Sequence, residues 1–288
     1  MSAVFLPHPE PRPAPASKRA MRAAWSVLPR SKLSYDLGKL ITRSLLRPEA
    51  QPHPVAVRFA NLIPMRLDLA SFVANDLYCL DDHYESVTLR LWRELAREAR
   101  VILDIGSHIG TFALVAAAVN PKTSIVAVEA DPNNFGLLRD HCATYPNVVP
   151  VHAAIADRAG QMWFCPGQEN DGAGRLSVER PADGSGFPVQ TCSLAELCRQ
   201  QSIATVDLMK LDVEGFEHTL MATDSDFWKE FPPAHLIVEL TCDKNTPQRT
   251  EELFRAMERR GYRAQRIQGL YAVPFGKSCD LANWHFWR

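Results

Sequence analysis

No uninterrupted apolar run in this 288-residue chain approaches the ~20 residues needed to cross a bilayer. The N-terminus has proline-rich polar residues where a secretory signal has its apolar segment, so secretion is not expected. An excess of one charge is missing too: 32 Lys and Arg stand against 33 Asp and Glu, a net charge of −1. That gives no bulk attraction to nucleic acid, and no Asn/Asp-Pro-Pro-Tyr/Phe motif is present. Seven cysteines (Cys79, Cys142, Cys165, Cys192, Cys198, Cys242 and Cys279) are scattered, without Cys-x-x-Cys or a Cys/His cluster at zinc spacing. The pattern argues against structural zinc and for a reduced, cytoplasmic setting. Gly-x-Gly-x-x-Gly, the loop that brings backbone close to a diphosphate, is absent.

What is present is a second kind of glycine loop. Val101-Ile-Leu-Asp-Ile leads into Gly106-Ser-His-Ile-Gly110, and an apolar, helix-compatible segment follows from Phe112 to Val119. A buried strand, a tight turn and a helix N-terminus in that order are how doubly wound α/β proteins hold nucleotide-like ligands. A second strand, Ser124 to Val128, ends in Glu129, nineteen residues after Gly110. An acid there is placed to accept hydrogen bonds from ribose hydroxyls. Glycine loop plus acid without a diphosphate cradle points to a nucleoside ligand such as S-adenosylmethionine.

With 46% hydrophobic residues the chain can fill one large core or two small ones. Residues 1–16 read as a disordered, Pro-rich tail. Residues 17–54 read as a basic, amphipathic helical extension. Between 17 and 47 eight Lys or Arg face one acid, Asp36, and Leu33, Leu37, Leu40, Ile41 and Leu45 recur at helical spacing. Three readings stay open: a helix packed through that stripe, a peripheral anchor at the inner face of a membrane, or a transit peptide. Residues 55–99 form a small lid region, with a two-stranded unit around Ala60-Asn61 and helix from 70 to 99. Residues 100–288 form the core, alternating strand and helix as a mostly parallel sheet with helices on both faces demands. Strands are expected near 100–105, 124–129, 148–155, 206–212, 235–240 and 263–274, with helices near 110–119, 133–143, 193–201 and 247–260. An insertion, 158–190, reads as a β-hairpin flap.

Ligands in such sheets bind outside the carboxyl ends of the strands. With strand order 3-2-1-4-5, the strands ending at Asp104, Asp212 and Glu239 are neighbours, beside Glu129 and the third strand's Ala154-Ile155. Asp207, Asp212, Glu214 and Glu217 crowd one eleven-residue span, more than helix capping alone explains. Lys210 shares a face of its strand with Asp212, either fixing a charge network or positioning substrate. His108 is expected to contact ligand or backbone, and His218, early on a helix, to be exposed. His83 could reach the site from the lid. Of the aromatics Trp163, Phe164, Trp228 and Trp284, any could stack on a sugar, though scattered aromatics are more often core.

The blocks Asp104-Ile-Gly-Ser-His-Ile-Gly110, Val128-Glu-Ala-Asp-Pro132, Ala153-Ala-Ile-Ala-Asp-Arg-Ala-Gly160 and Met209-Lys-Leu-Asp-Val-Glu-Gly-Phe-Glu217 together resemble the FkbM family of S-adenosylmethionine-dependent methyltransferases. The likeness runs over roughly 55–245 and takes in Tyr84-Glu85; the 210–217 block is its specific part. It implies a Rossmann-like class I methyltransferase fold and O-methylation of a hydroxyl on a sugar, glycoconjugate or polyketide-type molecule. Asp104, Gly106, Ser107, His108, Gly110, Glu129, Ala130, Ala154, Ile155 and Asp212 are then the expected cofactor contacts. Asp212, Glu214, Lys210 and Glu239 are the expected catalytic group, with Asp212 and Glu214 first as base. The trio Asp212, Glu214 and Glu239 could instead hold Mg²⁺, but the site is expected to be metal-free. A nicotinamide-dependent oxidoreductase on a similar sheet, or a non-catalytic cofactor-binding protein, is the alternative.

Overall fold

A computed structural model describes residues 10–167, 174–181, 184, 186–213, 215–223, 225–240, 247–267 and 282–288. It divides into two compact units, with the boundary after Leu91.

The first unit holds helices α1 (Ala16–Trp25) and α2 (Lys32–Ser44), a hairpin of β1 (Pro54–Phe59) and β2 (Ile63–Asp68), and α3 (Phe72–Leu80). The hairpin turns at Ala60 and Asn61, both with positive φ (51° and 57°). Ser31 starts α2 through a capping box with Ser34. Two expectations change here. Residues 10–15, assigned to the tail, are tied to the hairpin: Arg12 donates its N–H to Pro54 O at 2.7 Å, and Ala14 is buried. The expected helix over 70–99 is broken between α3 and α4 (Ser86–Ala96). Asp81 and Glu85 take positive φ there. Arg22 holds Asp81 in an ion pair at 2.8 Å, and Ala60 N–H donates to the same carboxylate. His83, buried in this unit, has Nε2 3.1 Å from Leu28 O.

The second unit is doubly wound. Its strands and helices run β3 (Val101–Ile105), α5 (Thr111–Val119), β4 (Ser124–Glu129), α6 (Pro132–Cys142), β5 (Val148–His152), β6 (Ala154–Ile155), β7 (Gly160–Cys165), β8 (Arg175–Ser177), β9 (Phe187–Cys192), α7 (Leu194–Gln200), β10 (Leu208–Leu211), α8 (Glu217–Thr223), α9 (Ser225–Glu230), β11 (His235–Leu240), α10 (Pro247–Arg259), β12 (Arg263–Arg266) and β13 (Ala282–Trp287). The main sheet has the order β12-β13-β11-β10-β3-β4-β5. Its five central strands are parallel and in the expected order, and β13 runs antiparallel to both neighbours. Strands β3, β4, β10 and β11 are nearly continuous apolar runs, as strands covered on both faces must be. Helix α5 is apolar all round and buried from Thr111 to Ala117. Asp131 caps α6, with Pro132 at its first position.

The expected third strand, 148–155, is two strands. After His152 the chain leaves the main sheet, and Ala154-Ile155 pair with Thr191-Cys192 in a separate sheet, β6-β9-β7-β8. The insertion is therefore not a lone hairpin: it supplies β7, β8 and most of β9 to a four-stranded sheet completed by β6. Of the expected strand 263–274, β12 covers 263–266 and residues 268–274 lie outside the described residues. α8 supplies the helix expected around His218, whereas β13 and α9 have no counterpart among the expected elements. For β13 a signal existed in the alternation of Ala282, Trp284 and Phe286, all buried.

Candidate functional site

The loop after β3 is set by local backbone chemistry. Gly106 (φ 78°) and Gly110 (φ 94°) occupy left-handed backbone, and so does His108 (φ 51°). A Cβ on Gly106 would overlap the carbonyl oxygen of Asp212, so only glycine lets these two strand ends meet. Gly106 N and Ser107 N both donate to Val128 O at 2.9 Å, binding the loop to the end of β4. Ser107 Oγ closes back on Asp104 O at 2.6 Å. His141, on α6, has Nδ1 2.8 Å from Ile109 O.

Glu129 ends β4 against this loop. Its carboxylate accepts His108 N–H and Asp131 N–H, each at 2.8 Å. Two lone-pair sites on the carboxylate remain for a ligand. Burial pushes its pKa up, with His108 pulling the other way. Ala130 follows, and its carbonyl lies 3.1 Å from His152 Nε2, whose ring stacks on Phe135 at 4.8 Å. This His152–Phe135 wall was not among the expected site residues, because only strand pairing brings β5 beside Glu129.

Across β3 the register aligns Asp104 with Lys210, and Lys210 with Ile237. Lys210 is buried and bonds Asp212 Oδ2 at 2.6 Å, with its Nζ 4.7 Å from the centre of the Phe112 ring. Phe112 is itself held by Trp92, whose Nε1–H donates to Phe112 O at 2.9 Å. Asp104 is fully buried; its Oδ2 accepts Ala113 N–H at 2.9 Å, and its Oδ1 has no hydrogen-bond partner among the described residues. Burial pushes the Asp104 carboxyl up to about 6 against the pull of Lys210. A carboxyl raised in the folded state stabilises below its unfolded pKa, near 4, and loses that contribution as pH rises through about 6. Relative to Asp104→Asn, the wild-type protein should therefore weaken by a few kcal/mol between pH 4 and 7, at roughly 1.4 kcal/mol per pKa unit. Urea unfolding of both proteins at the two pH values measures this; parallel curves would mean that Asp104 does not titrate in that window.

The acids of the 207–217 span separate. Asp207 accepts Arg100 N–H and Val101 N–H at the opposite end of the sheet, so it is removed from the site. Glu217 accepts the N–H groups of Val213 and Gly215 at the start of α8, a structural cap. Glu214 lies outside the described residues. Glu239 is half-buried, one register step past the Leu211–Val238 pair and hence level with Asp212. Ala154 and Ile155 are buried in the smaller sheet. His218, expected to be exposed, is buried with Nε2 3.5 Å from Thr250 Oγ1, because α8 packs on α10. Phe164, Trp228 and Trp284 are core residues; Trp163 is half-buried beneath Arg180. Among the described residues no group of three or more His, Cys, Asp or Glu is arranged to hold a metal.

The residues present fit a cationic nucleoside better than a dinucleotide. Asp104 and Asp212 stand beside one ammonium, Lys210, and Glu129 ends the strand on the other side of β3. A sulfonium is favoured there, whereas the anionic diphosphate of a nicotinamide cofactor would face like charge.

Sheet order, glycine loop and acids at adjacent strand ends define a nucleoside-binding, doubly wound protein. Residues 104–264 match the methyltransferase FkbM domain, more than half of the chain, and the chain belongs to that family. The match starts at Asp104, so residues 55–103, including Tyr84-Glu85, lie outside it. The hexuronic acid methyltransferase AglP of Haloferax volcanii is 29% identical over 135 residues, 46% of this chain and 53% of that one. The 2-O-methyltransferase NoeI of Sinorhizobium fredii is 27% identical over 137 residues, 42% and 56% of the two chains. The 31-O-demethyl-FK506 methyltransferase FkbM of Streptomyces tacrolimicus is 26% identical over 159 residues, 45% and 61%. The matched part thus spans between about half and three-fifths of these relatives.

Proposed function

We propose that this protein is an S-adenosylmethionine-dependent O-methyltransferase acting on a hydroxyl of a sugar, glycoconjugate or polyketide-type small molecule. The observation that carries the reading is the Lys210–Asp212 pair at 2.6 Å, beside a glycine loop that meets the Asp212 backbone. The names of the relatives agree, with a hexuronic acid, a 2-O position and a 31-O position as targets. On this reading it works in the cytoplasm, with residues 17–47 in contact with an inner membrane face.

Bound S-adenosylmethionine supplies an electrophilic methyl carbon. The chain's part is to hold and align, which does much of the work in an in-line displacement. Glu129 accepts from the ribose hydroxyls, with Gly106 to Gly110, Ala130 and the acid Asp104 shaping the rest of the cofactor's bed. Asp212 takes the proton of the acceptor hydroxyl as its oxygen attacks. Lys210 holds Asp212 in place through their hydrogen bond and balances the developing alkoxide. Glu214 and Glu239 are the next candidates for the base.

Calorimetric titration with S-adenosylhomocysteine and, in parallel, NAD⁺ tests the reading. Micromolar binding of the first alone is expected. Binding of NAD⁺ alone would replace it with the oxidoreductase.

A further inference from the structure

Helix α2 is amphipathic the wrong way round for a packed helix. Its small and polar side is the one that is seated: a Cβ on Gly38 would run into Leu80 and Trp25, and buried Thr42 donates to Asp76 Oδ1 at 2.5 Å. At about 100° per residue, Leu33, Leu37 and Leu40 fall within roughly 60° of one another, on the side away from Gly38 and Thr42. They are 77%, 50% and 62% exposed, and Leu45, just past the helix, is 79% exposed. Val27, in the link before α2, is 81% exposed. Single exposed leucines are ordinary; a row of them along one helix marks a contact surface.

The charge around this row names the partner. Residues 17–47 carry eight basic side chains against one acid; three of the eight, Lys18, Arg22 and Arg30, are held in ion pairs with Glu49, Asp81 and Asp82. Arg43 and Arg47 are both exposed, beside Leu40 and Leu45. We infer that α2 lies flat on an anionic lipid bilayer, its leucines among the acyl chains and its arginines at the lipid phosphates. A second copy of this chain is the competing occupant, but it would set the exposed Arg43 and Arg47 against their own counterparts, a costly juxtaposition. Among the described residues no helix is long and apolar enough to cross a membrane, so the contact is with the surface. This inference does not rest on methyl transfer, and its test needs no substrate.

The full chain is floated with phosphatidylglycerol-rich vesicles and with phosphatidylcholine vesicles, at low and high salt. Binding to the anionic vesicles alone, weakened by salt, is expected. Leu37→Gln with Leu40→Gln should lower partitioning at least tenfold at unchanged melting temperature, since both positions are exposed. Arg43→Glu with Arg47→Glu should lower it on anionic vesicles by more than tenfold, each basic residue near such a surface being worth roughly fivefold. Failure of the wild-type chain to float with anionic vesicles at low salt would overturn the inference. A dimer in light scattering that the leucine variant dissociates, with no vesicle binding, would assign the face to self-association instead.

Discussion

Asp212→Asn should leave the protein folded and able to bind S-adenosylhomocysteine while lowering turnover by roughly 10²–10⁴-fold, the usual contribution of a positioned base. The geometry separates the two effects. Asparagine keeps an oxygen that can accept from Lys210, 2.6 Å away in the wild-type protein. The backbone of residue 212, which bonds Ile105 O at 3.0 Å and abuts Gly106, is unchanged. What disappears is the basic carboxylate, whose side chain is 23% exposed beside a Lys210 that is only 6% exposed. Single-turnover methylation of a hydroxylated acceptor, set beside a calorimetric dissociation constant, reads chemistry and binding independently. A wild-type single-turnover rate in the variant would take Asp212 out of the mechanism and move the search to Glu239 and Glu214.

Glu129→Ala should weaken S-adenosylhomocysteine binding by about 1.5–3 kcal/mol, the range for losing hydrogen bonds to a charged group. That is roughly 10- to 150-fold in dissociation constant. The structure adds a second consequence. The same carboxylate receives His108 N–H and Asp131 N–H, so alanine also leaves two loop donors unsatisfied. Each buried orphan costs about 1–3 kcal/mol, and the melting temperature should fall with the affinity. Glu129→Gln separates the two losses: one oxygen still serves one of the donors, and part of the stability returns while ribose recognition stays impaired. Unchanged affinity in the alanine variant would place the ribose elsewhere.

Much of the site's first half was readable in one dimension. Asp104, Gly106, Gly110 and Glu129 lie within 26 residues, and each has a local reason to be where it is. Two glycines take positive φ, and an acid ends an apolar strand. The second half was only partly readable. Four acids between 207 and 217 look alike in sequence, yet one ties the far end of the sheet, one caps a helix and one pairs with the buried lysine. Acids are interchangeable to a pattern; the N–H groups they meet are fixed by strand register.

The sequence by itself determined the alternation of buried strands and helices and the loop that joins β3 to α5. These follow from continuous apolar runs and from glycine's access to left-handed backbone, both local properties. Tertiary structure decided the rest. It sent Ala154 and Ile155 into a second sheet, stacked His152 on Phe135, and chose which side of α2 would be covered. A helical repeat shows that a leucine stripe exists, but not which side of the helix meets a neighbour. Here Gly38 permits a close approach to Leu80 and Trp25 that leucine would block, so the small side is buried and the leucines face outward.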